Sequence, residues 1–180
     1  MGFHHIAVAM TDTAATHAFY TEAMGFELVK AVVAPTPEGG WAKHVFYDTG
    51  GDGLIAFWEL HDDKLPERGG LSTAAGLPDW VNHIAFRAHD ESHFELCKKR
   101  WLDLGAWAFE IDHGFCRSLY THDPSGTLVE WCLDTRPLDD DDRAHAASVL
   151  LDPVPPMEEP PTDAVFHDPT PGVVPPWVHS

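Results

Sequence analysis

The sequence predicts an α+β fold: paired βαβββ modules forming a curved mixed sheet around a cleft, with a proline-rich C-terminal tail. Three observations predict it. The stretch "HHIAVAMTD" at 4–12 is echoed by "NHIAFRAHD" at 82–90. Each copy is followed by one helical and three strand-like stretches. Ten of the fifteen prolines then lie beyond residue 133, where no comparable periodicity continues.

The first module occupies 1–60. Its opening apolar run, from His5, reads as a strand. Asp12 stands where a helix starts and serves as its N-cap, so the helix is predicted over Thr13–Met24, ended by Gly25. Strands are predicted at Glu27–Ala34, Ala42–Asp48 and Leu54–Leu60. A linker covers 61–80. The second module occupies 81–133: a strand from His83, a helix over Glu91–Leu104 between Asp90 and Gly105, then strands at Trp107–Ile111, Arg117–Thr121 and Thr127–Leu133. A unit of this size cannot bury its own sheet, so the two copies are expected side by side in one domain, 1–133. The tail, 134–180, has ten Asp/Glu against two Arg. It is read as extended, without a sheet, with one short helix around Asp141–Leu151. Its apolar residues (Val165, Phe166, Val173, Val174, Trp177) predict that it lies against a surface, such as a second subunit's; a disordered tail is the other reading.

Composition narrows the partners. The formal charge is -18, from 29 Asp/Glu and 11 Lys/Arg. Such a surface repels phosphate backbones and anionic lipid, so neither nucleic acid nor membrane is expected as a partner. No run is long enough for a membrane helix, and "MGFHHIAVAM" lacks the basic segment of a secretory signal. Cys97, Cys116 and Cys132 form no C-x-x-C pair. Reduced thiols and a cytoplasmic location follow as expectations. The "DDDD" run at 139–142 lacks the ligand spacing of an EF-hand loop and reads as a solvated run.

Side chains of a strand alternate faces. His5 therefore shares a face with Ala7 and Ala9, and His83 with Ala85. Small neighbours leave room beside each imidazole. Glu130 sits mid-strand in "GTLVEWCL", where a carboxylate is costly to bury unless paired or bound to a cation. Two repeat-related histidines and one carboxylate form a set suited to Fe(II), and also to Mn(II), Zn(II) or Ni(II). The predicted cleft is thus a metal-binding one. His4 is the weaker candidate, since its counterpart is Asn82. His44, His89, His93, His122, His145, His167 and His179 are read as surface residues.

With "HHIAVAMTD…FYTEAMGFEL", "NHIAF" and "YTHDPSGTLVEW", residues 1–133 resemble the vicinal oxygen chelate superfamily. That superfamily includes glyoxalase I, methylmalonyl-CoA epimerase, fosfomycin and bleomycin resistance proteins, and extradiol dioxygenases. The resemblance implies His5, His83 and Glu130 as metal ligands. His113, Leu119, Tyr120, Asp123, Pro124, Gly126 and Glu130 also follow the pattern of small extradiol ring-cleaving dioxygenases, in which the histidine and tyrosine hydrogen-bond substrate or oxygen. It implies an enzyme using Fe(II) and O2 on a catecholic aromatic substrate, with Phe46, Phe57, Trp58 and Phe115 as the apolar wall. Those enzymes place an acid–base histidine shortly before the second metal histidine. The loop "DDKLPERGGLSTAAGLPDW" has none, and His61 is the nearest candidate. Small members are often dimers, so a homodimer is expected.

Two other readings stay open. Aligning Gly53 with Gly126 sets Phe57 opposite Glu130, with Glu59 two residues on along the same face. Glu59 as a fourth ligand would make the site resemble that of a glyoxalase-like lyase or isomerase. A metal-free protein that binds a cationic drug is the other.

Overall fold

The computed structural model describes residues 2–51, 53–65, 69–161 and 163–178. His179, expected at the surface, lies outside them. In the first module, β1 (His5–Ala9) leads into α1 (Thr13–Ala18), which continues as a π-helical turn at Phe19–Ala23. Asp12 caps α1 as predicted, Ala15 N–H donating to Oδ1 at 2.8 Å. The expected single helix to Met24 is replaced after one and a half turns by wider winding, closed by Met24 N–H donating to the Phe19 carbonyl. The wider turn accompanies complete burial of two consecutive large rings, Phe19 and Tyr20. Strands β2 (Glu27–Pro35), β3 (Trp41–Asp48) and β4 (Leu54–His61) follow.

The second module repeats this order. Strand β5 (His83–Arg87) precedes α2 (Glu91–Asp103), capped by Asp90, whose Oδ1 accepts from His93 N–H at 2.8 Å. Strands β6 (Ala108–Asp112), β7 (Cys116–His122) and β8 (Leu128–Asp134) complete it. Gly25 and Gly105 take the left-handed conformation after their helices, with φ of 77° and 85°.

The paired modules form two mixed sheets, of four and five strands. The first runs β1-β4-β3-β2 and the second β5-β8-β7-β6-β9. A single core draws on both modules, from Val8, Met10, Phe19, Tyr20 and Phe57 to Ile84, Phe94, Trp101, Val129 and Trp131. The alternation of β1 and β5 decides what stays outside. Val8 and Ile84 are buried, whereas His5, Ala7, Ala9, His83, Ala85 and Arg87 are exposed. The faces that carry the histidines are thus turned away from the shared core.

The turn before β8 ties the modules together. Asp123 Oδ1 accepts from the Ser125 and Thr127 amides, both at 2.9 Å. Its Oδ2 accepts from Tyr20 Oη of the first module at 3.1 Å. Thr11 N–H donates to Ser125 Oγ at 3.2 Å. Burial pushes the Asp123 carboxyl up to about 6, in spite of these donors.

The tail departs from expectation. Beyond α3 (Asp140–Val149), which starts on a capping box between Asp139 and Asp142, Ala164–His167 forms β9 and pairs with β6. A proline-rich segment was expected to build no sheet. These four residues lie between prolines and contain none, so their amides are free to join an open sheet edge. The tail then docks on its own chain: Thr170 N–H donates to the Leu102 carbonyl, and Trp177 buries its ring edge-on to Phe19, with centroids 5.1 Å apart. Cys97, Cys116 and Cys132 are unbridged. Among the described residues no helix is long and apolar enough to cross a membrane.

Candidate functional site

The outer face of the second sheet gathers the polar residues of the opening motif. Register places His83 beside Leu128 and Ala85 beside Glu130, across the parallel β5–β8 pair. Tyr120 lies on the other side of Glu130, and Phe109 beyond Tyr120. Glu130 is 4% exposed. Its Oε1 accepts from Ser118 Oγ at 2.6 Å, and its Oε2 stands 3.2 Å from His83 Nε2. A nitrogen and an oxygen donor at this separation match two neighbouring ligands of a divalent first-row metal, with bonds of about 2.1 Å. The pair offers two of the donors such an ion takes.

His113 and Tyr120 belong to the same site. An Asx turn, Gly114 N–H on Asp112 Oδ1, shapes the β6–β7 connection, and His113 N–H closes it on the Cys116 carbonyl. His113 Nε2 comes 3.2 Å from Tyr120 Oη. Burial raises the Tyr120 phenol to about 12, with the Glu130 charge adding to it and a Ser118 hydrogen bond opposing it. The phenol therefore stays protonated near neutral pH and can donate. A cavity of about 510 Å³ opens over this face, lined by Trp80, His83, Trp107, Phe109, Ile111, His113, Tyr120, His122 and Leu128, with Asp79 at its edge.

His5 stands apart from this group, on the first sheet. His4 Nδ1 lies 2.7 Å from His5 Nδ1, and the Phe46 ring is 5.4 Å away between centroids. His44 lies beyond, stacked on Trp58 at 3.7 Å. Burial, with the nearby His5 charge, lowers the His44 pKa. Within one chain, no three His, Cys, Asp or Glu side chains among the described residues gather as a metal site. His83 and Glu130 come together; His5 does not join them.

The first sheet corrects several other expectations. Register pairs His5 with Leu54 and Ala7 with Ala56, so the counterpart of Glu130 is Ala56. The connections before β4 and β8 are equal in length, but Gly53 stands one residue before β4 and Gly126 two before β8, so aligning the two glycines misses the register by one residue. A one-residue difference turns every following side chain to the other face. Phe57, expected in the cleft wall, is therefore core, 1% exposed and against Tyr20. Glu59 shares that face and is occupied: Lys43 Nζ donates to it at 2.6 Å, and His61 Nε2 lies 2.8 Å away. Burial works against its charge, but hydrogen bonds from Lys43, Thr13 and His61 prevail and hold its carboxyl at about 2. Glu59 is thus not presented beside His5. His61 stacks on Trp41 and does not line the His83 cavity. Phe46 and Trp58 lie on the His5 face. Phe115 is 42% exposed beside His113, and its ring lines a different hollow with Arg87 and Leu138.

Sequence reasoning missed the cavity's own walls. Counting in twos from Tyr120 finds Ser118 and His122; counting in twos along β6 finds Trp107, Phe109 and Ile111. His122 and His167 were read as surface residues. His122 lines the cavity, and His167 Nε2 meets Glu110 at 2.9 Å.

Known proteins share this architecture. A glyoxalase/bleomycin resistance protein/dioxygenase domain from Frankia sp. EAN1pec superposes with a TM-score of 0.61 at 17% identity, over 77% of this chain and 95% of that one. The genomically encoded fosfomycin resistance protein FosX of Listeria monocytogenes, in a complex with Mn(II) and 1S,2S-dihydroxypropylphosphonic acid, gives 0.52 at 23%, over 79% and 97%. A putative dioxygenase from Bacillus subtilis gives 0.55 at 18%, over 74% of this chain but 40% of its own. No curated protein matches by sequence. The family model of the Glyoxalase/Bleomycin resistance protein/Dioxygenase superfamily matches residues 2–131, and the chain belongs to that superfamily.

Proposed function

We propose that this protein is a metal-dependent dioxygenase that cleaves a catecholic aromatic ring in the extradiol manner. The observation that carries the reading is the second sheet's outer face, where Glu130 and His83 offer adjacent oxygen and nitrogen donors beneath an aromatic cavity that also holds the His113–Tyr120 pair. Fe(II) is the proposed metal, with Mn(II), Zn(II) or Ni(II) as the alternatives that metal analysis would separate. When bound, Fe(II) supplies coordination sites for two vicinal oxygens and for O2 and exchanges electrons between them. The chain's own residues do the rest. Trp80, Trp107 and Phe109 bind the flat ring and exclude water. Tyr120 donates a hydrogen bond to developing negative charge on oxygen, and His113 orients its hydroxyl.

The third ligand, His5, is proposed to come from a second copy of the chain. Strand β1 is an edge of the first sheet and β5 an edge of the second. Both histidine faces are open, and all nine residues of β2 are exposed. A homodimer that sets the first sheet of one copy against the second sheet of the other would cover these surfaces and bring His5 to the His83–Glu130 pair.

The test is elemental analysis of protein purified anaerobically without an affinity tag, followed by catechol turnover on admitting air. Stoichiometric iron, lost in Glu130→Gln, with a new absorbing product supports the reading. Mixing His5→Ala with His83→Ala chains should restore metal uptake if two copies share each site. Zinc or nickel without turnover after iron exchange moves the assignment to a lyase. No metal after reloading leaves a binding cleft for a small molecule.

A further inference from the structure

The dioxygenase reading needs a group that carries protons to and from the substrate oxygen. His61 belongs to the other sheet. The cavity holds another histidine. We propose that His122, backed by Asp79, is the acid–base group of the His83–Glu130 cavity, taking the proton of a substrate hydroxyl held over Leu128; the proposal rests on the dioxygenase reading.

Register supports this placement. Leu128 pairs with His83 on β5 and with His122 on β7. The two histidines therefore lie in one row of the sheet with a buried leucine between them. Neighbouring strands are about 4.8 Å apart, so the row spans about 10 Å, the breadth of one aromatic ring with its substituents. A ring lying on Leu128 would meet His83 at one end and His122 at the other. Tyr120 is two residues along from His122 and on the same face.

The surroundings of the imidazole point the same way. Trp107 holds it edge-on, with centroids 5.3 Å apart at 84°. Its Nε2 is shielded from solvent and makes no hydrogen bond. Shielded ring nitrogens ordinarily have a partner. Asp79 Oδ2 lies 3.4 Å away, close enough to stabilise a positive charge but not aligned as an acceptor. Asp79 is set there by a turn in which Val81 N–H donates to the Pro78 carbonyl. A hydroxyl entering the cavity would complete Nε2.

The remaining titratable groups of the cavity are otherwise engaged. They are His83 on β5, opposite Glu130, and the His113–Tyr120 pair of the β6–β7 hairpin. Strand β8 presents Leu128 to His122, β6 presents Trp107, and the linker presents Asp79. In the step, the hydroxyl O–H bond breaks and an N–H bond forms at Nε2. The electron pair stays on the substrate oxygen, and the imidazolium rests against the Asp79 carboxylate. The proton returns to the ring-opened product.

The test uses Zn(II)-loaded full-length protein and 4-nitrocatechol, since Zn(II) is redox-inert and leaves the probe intact. Protons released on binding are counted by calorimetry in buffers of different ionisation enthalpy, from the imidazole range upward. His122→Gln should release about one proton more per probe bound than wild type wherever the wild-type imidazole starts neutral. His122→Asn should do the same. Equal counts in wild type and His122→Gln, with the probe bound to both, overturn the proposal and leave the catechol reading standing. If His122→Gln fails to bind, His122→Asn decides, and a count equal to that of wild type overturns the proposal. Wild type that takes no nitrocatechol overturns the dioxygenase reading and this proposal with it.

Discussion

The two modules share one scaffold and diverge in what they do with it. In each, a histidine opens the first strand and faces outward beside alanines. In the second module that histidine meets Glu130, which accepts from Ser118 and is flanked by Tyr120. In the first it stands beside Leu54, the position of Glu130 is held by Ala56, and His44 and Trp58 stack nearby. The first module's only carboxylate on the strand, Glu59, is turned to the opposite face and locked between Lys43 and His61. The comparison teaches that a repeated fold does not repeat its chemistry. The two strands keep the same register, and what differs is the residue at the shared position, Ala56 in one and Glu130 in the other.

Five substitutions break or sharpen this contrast. Glu130→Gln would make the second module as poor in charge as the first, and metal uptake measured by elemental analysis should fall to background. Trp177→Ala removes the tail's clamp on Phe19 of the first module. It should cost roughly 3 kcal/mol in chemical denaturation, reduced from the full aromatic truncation if the tail recloses. Should the tail instead dock on a second copy, the loss would vary with protein concentration.

The bond between modules carries a pH signature. Asp123 has a folded pKa of about 6, above its ordinary value near 4, so the native state holds this proton more tightly than the unfolded chain. Its contribution is favourable at low pH and is lost as pH rises from about 4 to about 6, by roughly 2–3 kcal/mol. Asp123→Asn should flatten that part of the stability profile. Tyr20→Phe takes a first-module donor from Asp123 Oδ2 and should cost about 1–2 kcal/mol, more at neutral pH than at pH 4, as read by urea denaturation. The smallest effect belongs to Glu59→Gln. It weakens partly exposed pairs with Lys43 and His61, about 0.5 kcal/mol, and should leave metal uptake unchanged. Strong loss of metal there would restore Glu59 as a ligand.

Much of the fold was legible in the chain. Asp12 and Asp90 before their helices, Gly25 and Gly105 after them, and strand runs bounded by turns are local signals. They depend on backbone geometry within a few residues. The pattern from His113 to Glu130 was legible for the same reason: it lies on one hairpin and the strand beside it, where alternation alone brings Tyr120 and Glu130 to one face. The faces of Phe57 and Glu59 were not, because an alignment of glycines does not report the pairing register. Strand β9 was also hidden, since four apolar residues among prolines become a strand only when an open edge is offered.

The sequence by itself determined the paired modules, their caps and turns, the acidic surface, and the sharing of one strand face by each histidine and its alanines. Tertiary structure decided which of these residues meet. It set the helix sides of both modules against one core, which turned the two histidine faces outward and separated His5 from His83. It brought His122 and Asp79 to the cavity and the tail back onto the first module. Local signals act over one turn or one strand pair. Meetings between distant segments depend on register and on which surfaces gain most by burial, and neither is written in any single stretch.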